Sequence, residues 1–328
     1  MSIGWGIIGI GKLSDAAIAP AIARQPDSDL VAVCSRSMER ATAFAGRHGD
    51  PHPYVDYDEM LRDDRVDVVY IATPNSLHVD HMVAAAVAGK HVLVDKPMAL
   101  TAQDGQRMIA AAHEHGIRFA VGFQLRHKAT NLAARDAIAA GRMGTPSLYE
   151  MSIGAGKDHF PYDTWRSDAE LSGGGTVLNQ GTHVIDLVQF LAGSPIAEVS
   201  CLADGVPAED VAVISGRLAN GALINLTSDQ LVGGTPRDWL AVGSGGWMQG
   251  KGAIGAAGGD QVVVHTGGNE EVLASGTANA YDEEVDAFSR AVLGTAPVNG
   301  TGEDGARTIA VVDAIYRSVA EKRIVAVD

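Results

Sequence analysis

The sequence predicts an α/β fold: a Rossmann-type doubly wound parallel sheet followed by an α+β domain with a large, mostly antiparallel, open-faced sheet. Three observations predict it. Short apolar runs alternate with amphipathic stretches up to Gly122, which implies parallel strands and right-handed crossovers. A glycine turn, Gly9-Ile10-Gly11, closes the first run and opens a helix. Beyond Gly122 the segments become β-rich, alternate in polarity and are separated by turn pairs such as Asn220-Gly221.

The elements follow in order. Strands are expected over Gly4–Ile10, Leu30–Cys34, Asp67–Ala72, His91–Val94 and Arg118–Val121, the apolar ones being covered on both faces. Between them helices are expected over Ser14–Arg24, Met38–Arg47, His78–Gly89 and Thr101–Gly116, the last capped by Thr101. After a helix over Thr130–Ala140 come strands at Ser147–Ile153, Glu198–Ala203, Val211–Leu218, Ala222–Thr227, Trp239–Val242 and Gln261–His265. Asn220-Gly221 reads as a two-residue hairpin. Asp282–Leu293 and Glu303–Lys322 are terminal helices. The expected domains are 1–122 and 123–328, with the last helix packing back on the first domain. The glycine-rich stretch Gly245–Gly268 reads as turns between short strands, because no helix start with Lys-Ser/Thr follows it.

Composition narrows the function classes. An apolar content of 46% over 328 residues supports two packed cores and excludes a disordered chain. A formal net charge of -15 disfavours nucleic acid and anionic membranes as partners. The two cysteines, Cys34 and Cys201, are far apart and lack metal spacing, so no metal is expected and a reducing cytoplasm is. No apolar run approaches the ~20 residues of a membrane span, and the N-terminus does not read as a signal peptide.

Gly9-Ile10-Gly11-Lys12-Leu13-Ser14 matches the dinucleotide fingerprint except at its third glycine, here Ser14. Gly9 permits the tight turn, and Gly11 lets backbone approach a pyrophosphate at the helix N-terminus. At the end of the second strand, where an acid usually binds the ribose hydroxyls, stand Ser35 and Arg36, with Arg40 one turn on. A hydroxyl and two guanidinium groups suit a 2′-phosphate, so NADP(H) is favoured over NAD(H). Thr73-Pro74-Asn75 and His78 follow the third strand, and Asn75 is placed to cap the next helix or to touch the cofactor. Asp95-Lys96-Pro97 ends the following strand at the same sheet edge, putting an amine that can exchange protons beside the nicotinamide. Gln124, past the last strand of this half, completes the expected cofactor set. A second centre lies in Gly173–Leu191, where Asn179, His183 and Asp186 share one helical face while Val177, Val184, Ile185 and Val188 supply the buried one. His183 can shuttle a proton, and Asp186 can fix its tautomer or bind a substrate hydroxyl.

GIGKLS, TPNSLH, VDKP and GGGTVLNQGTH-VID together resemble the glucose–fructose oxidoreductase / inositol dehydrogenase / rhizopine-catabolism (Gfo/Idh/MocA) family. GWGIIG, GKHVLVDKP, LRHKATNLAARDAIAAGRMG and the final TGEDG helix resemble its 1,5-anhydrofructose reductase and NADP-dependent sugar dehydrogenase branch. The resemblance implies hydride transfer between nicotinamide and a sugar or polyol carbon, with self-association through the open sheet face. It makes Lys96 the catalytic lysine, Asp95 the acid near the nicotinamide ribose and His183 the catalytic histidine. Asn75 and His78 fall in a cofactor-side motif, and Trp165-Arg166 resembles a pair near nicotinamide and substrate. One departure stands out: Asn179 occupies a position commonly aspartate in the family, and asparagine cannot titrate. It keeps open a non-catalytic dinucleotide-binding regulator, a role this fold also serves in a yeast galactose-pathway repressor. A third reading retains the enzyme with a non-sugar substrate, such as a dihydrodiol or tetrapyrrole. Loops at Phe123–His127 and Lys157–Asp168 are expected to shape the substrate pocket.

Overall fold

The computed structural model describes residues 2–156, 164–206 and 208–328. The first half runs β1 (Ile3–Ile8), a π-helical turn (Ser14–Ile18), α1 (Ala19–Arg24), β2 (Ser28–Cys34), α2 (Met38–Ala45), β3 (His52–Tyr54), α3 (Tyr57–Leu61), β4 (Val68–Ile71), α4 (His78–Val87), β5 (His91–Asp95), α5 (Ala102–Glu114) and β6 (Phe119–Gly122). Six strands pair in the order β3-β2-β1-β4-β5-β6, every pair parallel. The order reverses between β1 and β4, the switch point at which such sheets bind ligands beyond their carboxyl ends. β1 and β4 are buried along their whole length, as strands covered on both faces must be. The Thr101 hydroxyl accepts the Asp104 N–H and caps α5 as expected. β3 and α3 escape the sequence pattern. β3 is a three-residue edge strand containing Pro53, tolerated there because its missing N–H faces no neighbour.

The second half continues with α6 (Ala129–Ala139), β7 (Pro146–Gly154), α7 (Ala169–Ser172), a π-helical turn (Val177–Gly181), α8 (Thr182–Ala192), β8 (Ile196–Ala203), β9 (Val211–Leu218), β10 (Leu223–Asp229), β11 (Trp239–Gly243), β12 (Gly246–Lys251), β13 (Asp260–Thr266) and β14 (Asn269–Gly276). Then come α9 (Ala280–Val292), α10 (Gly302–Glu321) and β15 (Val325–Ala326). Nine strands form one sheet, β14-β13-β12-β11-β7-β10-β9-β8-β15, antiparallel except for the parallel β7–β10 pair. β12, β14 and β15 are additions to the sequence reading: β12 is flanked and interrupted by glycine, β14 is an exposed edge with paired glutamates, and β15 is two residues long. The β9–β10 connection is a correction. The Leu218 N–H bonds to the Ala222 carbonyl at 2.8 Å, so the loop has three residues, Ala219–Gly221, with Gly221 at φ 92°.

The chain divides into two compact units, Met1–Gly122 with Tyr281–Ala306, and Phe123–Ala280 with Arg307–Asp328. From Tyr281 onward α9 lies in the first unit, as does the opening turn of the last helix, α10, whose remainder from Arg307 lies in the second. The Trp5 indole donates to the Ser28 hydroxyl at 3.3 Å, and Ser28 meets Ser289 of α9 at 3.1 Å. Phe288 packs its ring 6.0 Å from that of Trp5, and the Arg24 guanidinium pairs with Asp282. α9 wins this place because Val285 and Phe288 complete the buried cluster around Trp5, Ile22 and Tyr70. The small Gly302 and Gly305 let the start of α10 lie against Phe119 and Met98.

In the second unit the glycine-rich stretch is tied down by buried polar groups. Lys128 is 2% exposed; its ammonium donates to the carbonyls of Gly255 at 2.8 Å and Ala257 at 2.9 Å, and pairs with Asp260 at 3.0 Å. The Thr130 hydroxyl donates to the same carboxylate. Asn131 donates to the Leu125 and Ala253 carbonyls and accepts from the Trp239 indole at 3.0 Å. These turns offer carbonyls to a cation, the opposite polarity to a phosphate cradle. Replacing one partner of a buried pair strands the other's charge at a cost of about 3–5 kcal/mol. Lys128→Met is accordingly expected to lower the calorimetric unfolding temperature clearly; an unchanged transition would show that the pair contributes nothing.

Candidate active site

Four turns meet along the carboxyl edge of the parallel sheet. After β1, Gly9 holds φ 94°, and a Cβ there would lie 2.5 Å from the Ala72 carbonyl carbon. Glycine is therefore required on both conformational and steric grounds. A Cβ at Gly11 would meet nothing within 4 Å, the open approach a pyrophosphate needs. Ser14, buried where the fingerprint has its third glycine, donates its hydroxyl to the Gly9 carbonyl at 2.6 Å and ties the helix start to the turn. The chain coils as a π turn just ahead of Pro20, with the Ala19 N–H reaching back to the Ser14 carbonyl, so the proline's missing donor falls where the spacing is already relaxed. Lys12 and Leu13 occupy the first turn beyond Gly11. These features fit a dinucleotide.

After β2, Ser35 donates its N–H to the Tyr54 carbonyl at 3.1 Å, and Ser37 caps α2 by accepting the Arg40 N–H. Arg36 and Arg40 are both exposed at this turn. After β4, the helix is entered through a 3-10 turn, Asn75–Leu77, so the N-cap position of α4 falls at Leu77; the Asn75 side chain is buried. Thr73 sets its hydroxyl 3.1 Å from Nδ1 of His81, while Tyr57 donates to the His81 carbonyl.

His78 joins this turn to the next. Its Nδ1 lies 2.9 Å from the Pro97 carbonyl oxygen and its Nε2 2.9 Å from that of Thr73. Burial holds its pKa below the usual value, Asp95 opposing, so the neutral ring carries one N–H and donates to one carbonyl at a time. The ring spans the two turns that carry Asn75 and Lys96. Lys96 itself is half-buried just beyond Asp95, and the Lys96–Pro97 bond is cis. Behind Asp95, Glu284 of α9 and Tyr70 of β4 are buried, and neither Glu284 oxygen has a hydrogen-bond partner. Burial first, then the Asp95 charge, pushes the Glu284 carboxyl well above the carboxylate range, so it is a neutral acid near neutral pH.

In the second unit the Asn179, His183 and Asp186 stripe lies on a helical run buried on all sides, not on one face only. The first turn is π-helical, the Thr182 N–H bonding to the Val177 carbonyl, and Asn179 stands within it. Asp186 is the counter-ion of Arg126: Nε donates to its two oxygens at 3.0 and 2.8 Å, and Nη2 donates at 2.6 Å. The guanidinium lies over the rings of Phe123 and Phe190. A carboxylate gripped in this way anchors a helix, a role the sequence stripe did not disclose. Gln124 is buried in the 3-10 turn Gln124–His127 that carries Arg126. Trp165 and Arg166 form a 3-10 turn with the guanidinium 4.4 Å from the indole centroid. Residues 157–163 of the expected pocket loop lie outside the described residues.

A dinucleotide-binding sheet of this order, joined to a mostly antiparallel nine-stranded sheet, defines an NAD(P)-dependent oxidoreductase class. Family profiles match nearly the whole chain: "Oxidoreductase family, NAD-binding Rossmann fold" over residues 3–123, "GFO/IDH/MocA C-terminal domain" over 131–249 and "Oxidoreductase family, C-terminal alpha/beta domain" over 248–327. The chain is 30% identical to 1,5-anhydro-D-fructose reductase of Ensifer adhaerens over 96% of both chains. It is 26% identical to D-xylose 1-dehydrogenase (NADP(+)) 2 of Haloferax volcanii, again over 96% of both. Aldose-aldose oxidoreductase from Caulobacter crescentus, solved with glycerol, superposes with a TM-score of 0.92 at 27% identity, covering 99% of this chain and all of that one. The protein belongs to the Gfo/Idh/MocA oxidoreductase family.

His81, Arg126 and Glu284 were not anticipated; only His81, one turn beyond His78 on the same helix, left a signal in the spacing. Burial lowers the His81 pKa to about 4 from an ordinary 6.5. The unfolded chain then takes up this proton first, so stability is expected to fall as pH drops from 6.5 towards 4 and to be insensitive to this group above 6.5. Denaturant titrations of wild type and His81→Gln across that range check the sign; identical slopes would refute it.

Proposed function

We propose that the protein is an NADP(H)-dependent oxidoreductase of a sugar, sugar derivative or polyol, in which Lys96 and His183 handle the proton. The observation that carries the reading is the Lys96 turn, half-buried at the switch-point edge and spanned by His78 to the Thr73–Asn75 turn. The bound dinucleotide supplies or accepts the hydride. In the reductive direction the Lys96 ammonium stabilises the negative charge growing on the substrate oxygen, and Lys96 or His183 gives it a proton. Oxidation reverses these steps. Asn179, with Trp165 and Arg166, orients substrate hydroxyls, while Asp186 acts through its hold on Arg126. The sugar or polyol class is supported by the relatives, whose names specify 1,5-anhydro-D-fructose, D-xylose and aldoses.

The NADP(H) preference rests on Ser35, Arg36 and Arg40, a hydroxyl and two exposed guanidinium groups where an acid would select NAD(H). The name of the Haloferax relative specifies NADP(+). We also place the protein in the cytoplasm, since both cysteines are free and buried; no described helix is long and apolar enough to cross a membrane. Exposed Leu202, Val213 and Leu223 lie on neighbouring strands of the nine-stranded sheet and support self-association through that face.

Lys96→Met is expected to lower kcat by about 10²–10⁴-fold, the usual worth of a positioned proton donor, with NADPH affinity nearly unchanged. Normal turnover in that variant would sink the assignment. Activity against a stereochemically varied sugar panel, run with both cofactors, separates the alternatives. Tight NADPH binding without turnover of any ketose, osone, aldose or polyol would favour a regulator. Arg36→Ala/Arg40→Ala should raise the KM for NADPH about tenfold or more and leave that for NADH nearly unmoved, each charge-assisted phosphate contact contributing about 1.5–3 kcal/mol. A strong NADH preference in the wild type would overturn the cofactor argument.

A further inference from the structure

We propose that Glu209 is the positioning residue of the His183 helix, its buried carboxyl fixing the first turn of the run that carries Asn179 and His183. The inference rests on reading His183 as a proton-handling residue. Glu209 is 0% exposed and sits in the connection just before β9. Its main-chain carbonyl accepts the Thr176 N–H at 2.8 Å. Its Oε1 accepts the Val177 N–H at 3.0 Å and the Tyr316 hydroxyl of α10 at 3.1 Å. The first N–H groups of a helical run have no partner within the helix, so one residue from a distant loop serves two of them. An electron-rich oxygen there also faces the favourable pole of the helix dipole.

The surroundings are built to admit this contact. A Cβ at Gly175 would overlap the Glu209 backbone, and one at Gly174 would overlap the Tyr316 hydroxyl. The glycines before the helix are thus required by close packing against Glu209 and Tyr316. On the other flank, the Thr176 hydroxyl meets that of Ser228 in β10 at 2.7 Å, and Ser228 donates to the Thr176 carbonyl at 3.1 Å. Burial raises the Glu209 pKa above its ordinary value, and the cap itself is made through a single acceptor oxygen, Oε1. Glutamine can therefore replace it. His183 follows Val177 by six residues through a hydrogen-bonded π turn, and the Arg126–Asp186 pair holds the helix one turn further on. Loss of the Glu209 anchor would free the start of the run to pivot on that pair and carry His183 with it. Misplacement of a reacting group by ~1 Å can cost about 10²-fold in rate.

The test uses the full chain. Glu209→Ala, Glu209→Gln, Tyr316→Phe and His183→Asn are assayed for kcat and KM on the best sugar of the panel, with NADPH affinity measured directly. E209A is expected to lose about tenfold or more in kcat, with NADPH affinity within about twofold of wild type, and E209Q to recover most of the loss. Wild-type kcat in E209A beside an inactive H183N would overturn the positioning role alone, as would an E209Q as impaired as E209A. Wild-type turnover in H183N would instead overturn the reading of His183. If E209A does not accumulate, Y316F decides: a lowered kcat with faster amide exchange at Val177 supports the anchor, and wild-type values for both overturn it.

Discussion

A parallel sheet must be covered on both faces, and this constraint organises the whole chain. The crossover helices cannot shield Trp5 and Tyr70 by themselves. The chain builds its nine-stranded sheet and then returns with α9 to finish the first core. Phe288 and Val285 supply the apolar surface, while Ser289, through Ser28, leads to the indole N–H of Trp5. Burying an aromatic pair of this size is worth several kcal/mol, of the order of 1.5–3 kcal/mol per fully buried large side chain. The cofactor-binding unit is thus discontinuous in sequence, and the turns at its carboxyl edge rest on a core that two distant segments complete.

The same economy governs the polar groups. Along the sheet edge, side chains that look available for chemistry are used to hold turns: Ser14 grips Gly9, His81 meets Thr73, and His78 spans two carbonyls. In the second unit Asp186 grips Arg126 and Glu209 caps the His183 run. Ser14, His78 and Glu209 satisfy backbone groups at a turn or helix start, while the Thr73–His81 and Arg126–Asp186 pairs join side chain to side chain. The open side of Gly11 and the exposed Arg36 and Arg40 stay accessible to a ligand.

Much of this was legible in the sequence. Apolar runs without alternation gave away the buried parallel strands, and glycine spacing located the cofactor turn. Thr101 announced its helix because a hydroxyl cap is a local device. Devices that act at long range left little trace. β3, β14 and β15 are short or polar edges whose strand character comes from a neighbour, not from their own residues. The α9 and α10 helices look alike in sequence, and only three-dimensional packing decides which one covers the first sheet. The stripe of Asn179, His183 and Asp186 was visible by helical spacing, yet nothing in the spacing disclosed that Arg126, sixty residues earlier, would take the carboxylate.

Glu284 carries a consequence of its own. A carboxylic acid that stays neutral in the native state must give up its proton when the chain opens near neutral pH. Unfolding of the first unit therefore releases a proton from this site, and its stability declines as pH rises above the ordinary carboxylate range. His81 works in the opposite sense on the acid side. The two linkages bracket the native state between them, so the unit's greatest stability is drawn towards mild acidity, and the enthalpy of its unfolding will depend on the buffer that takes up the proton.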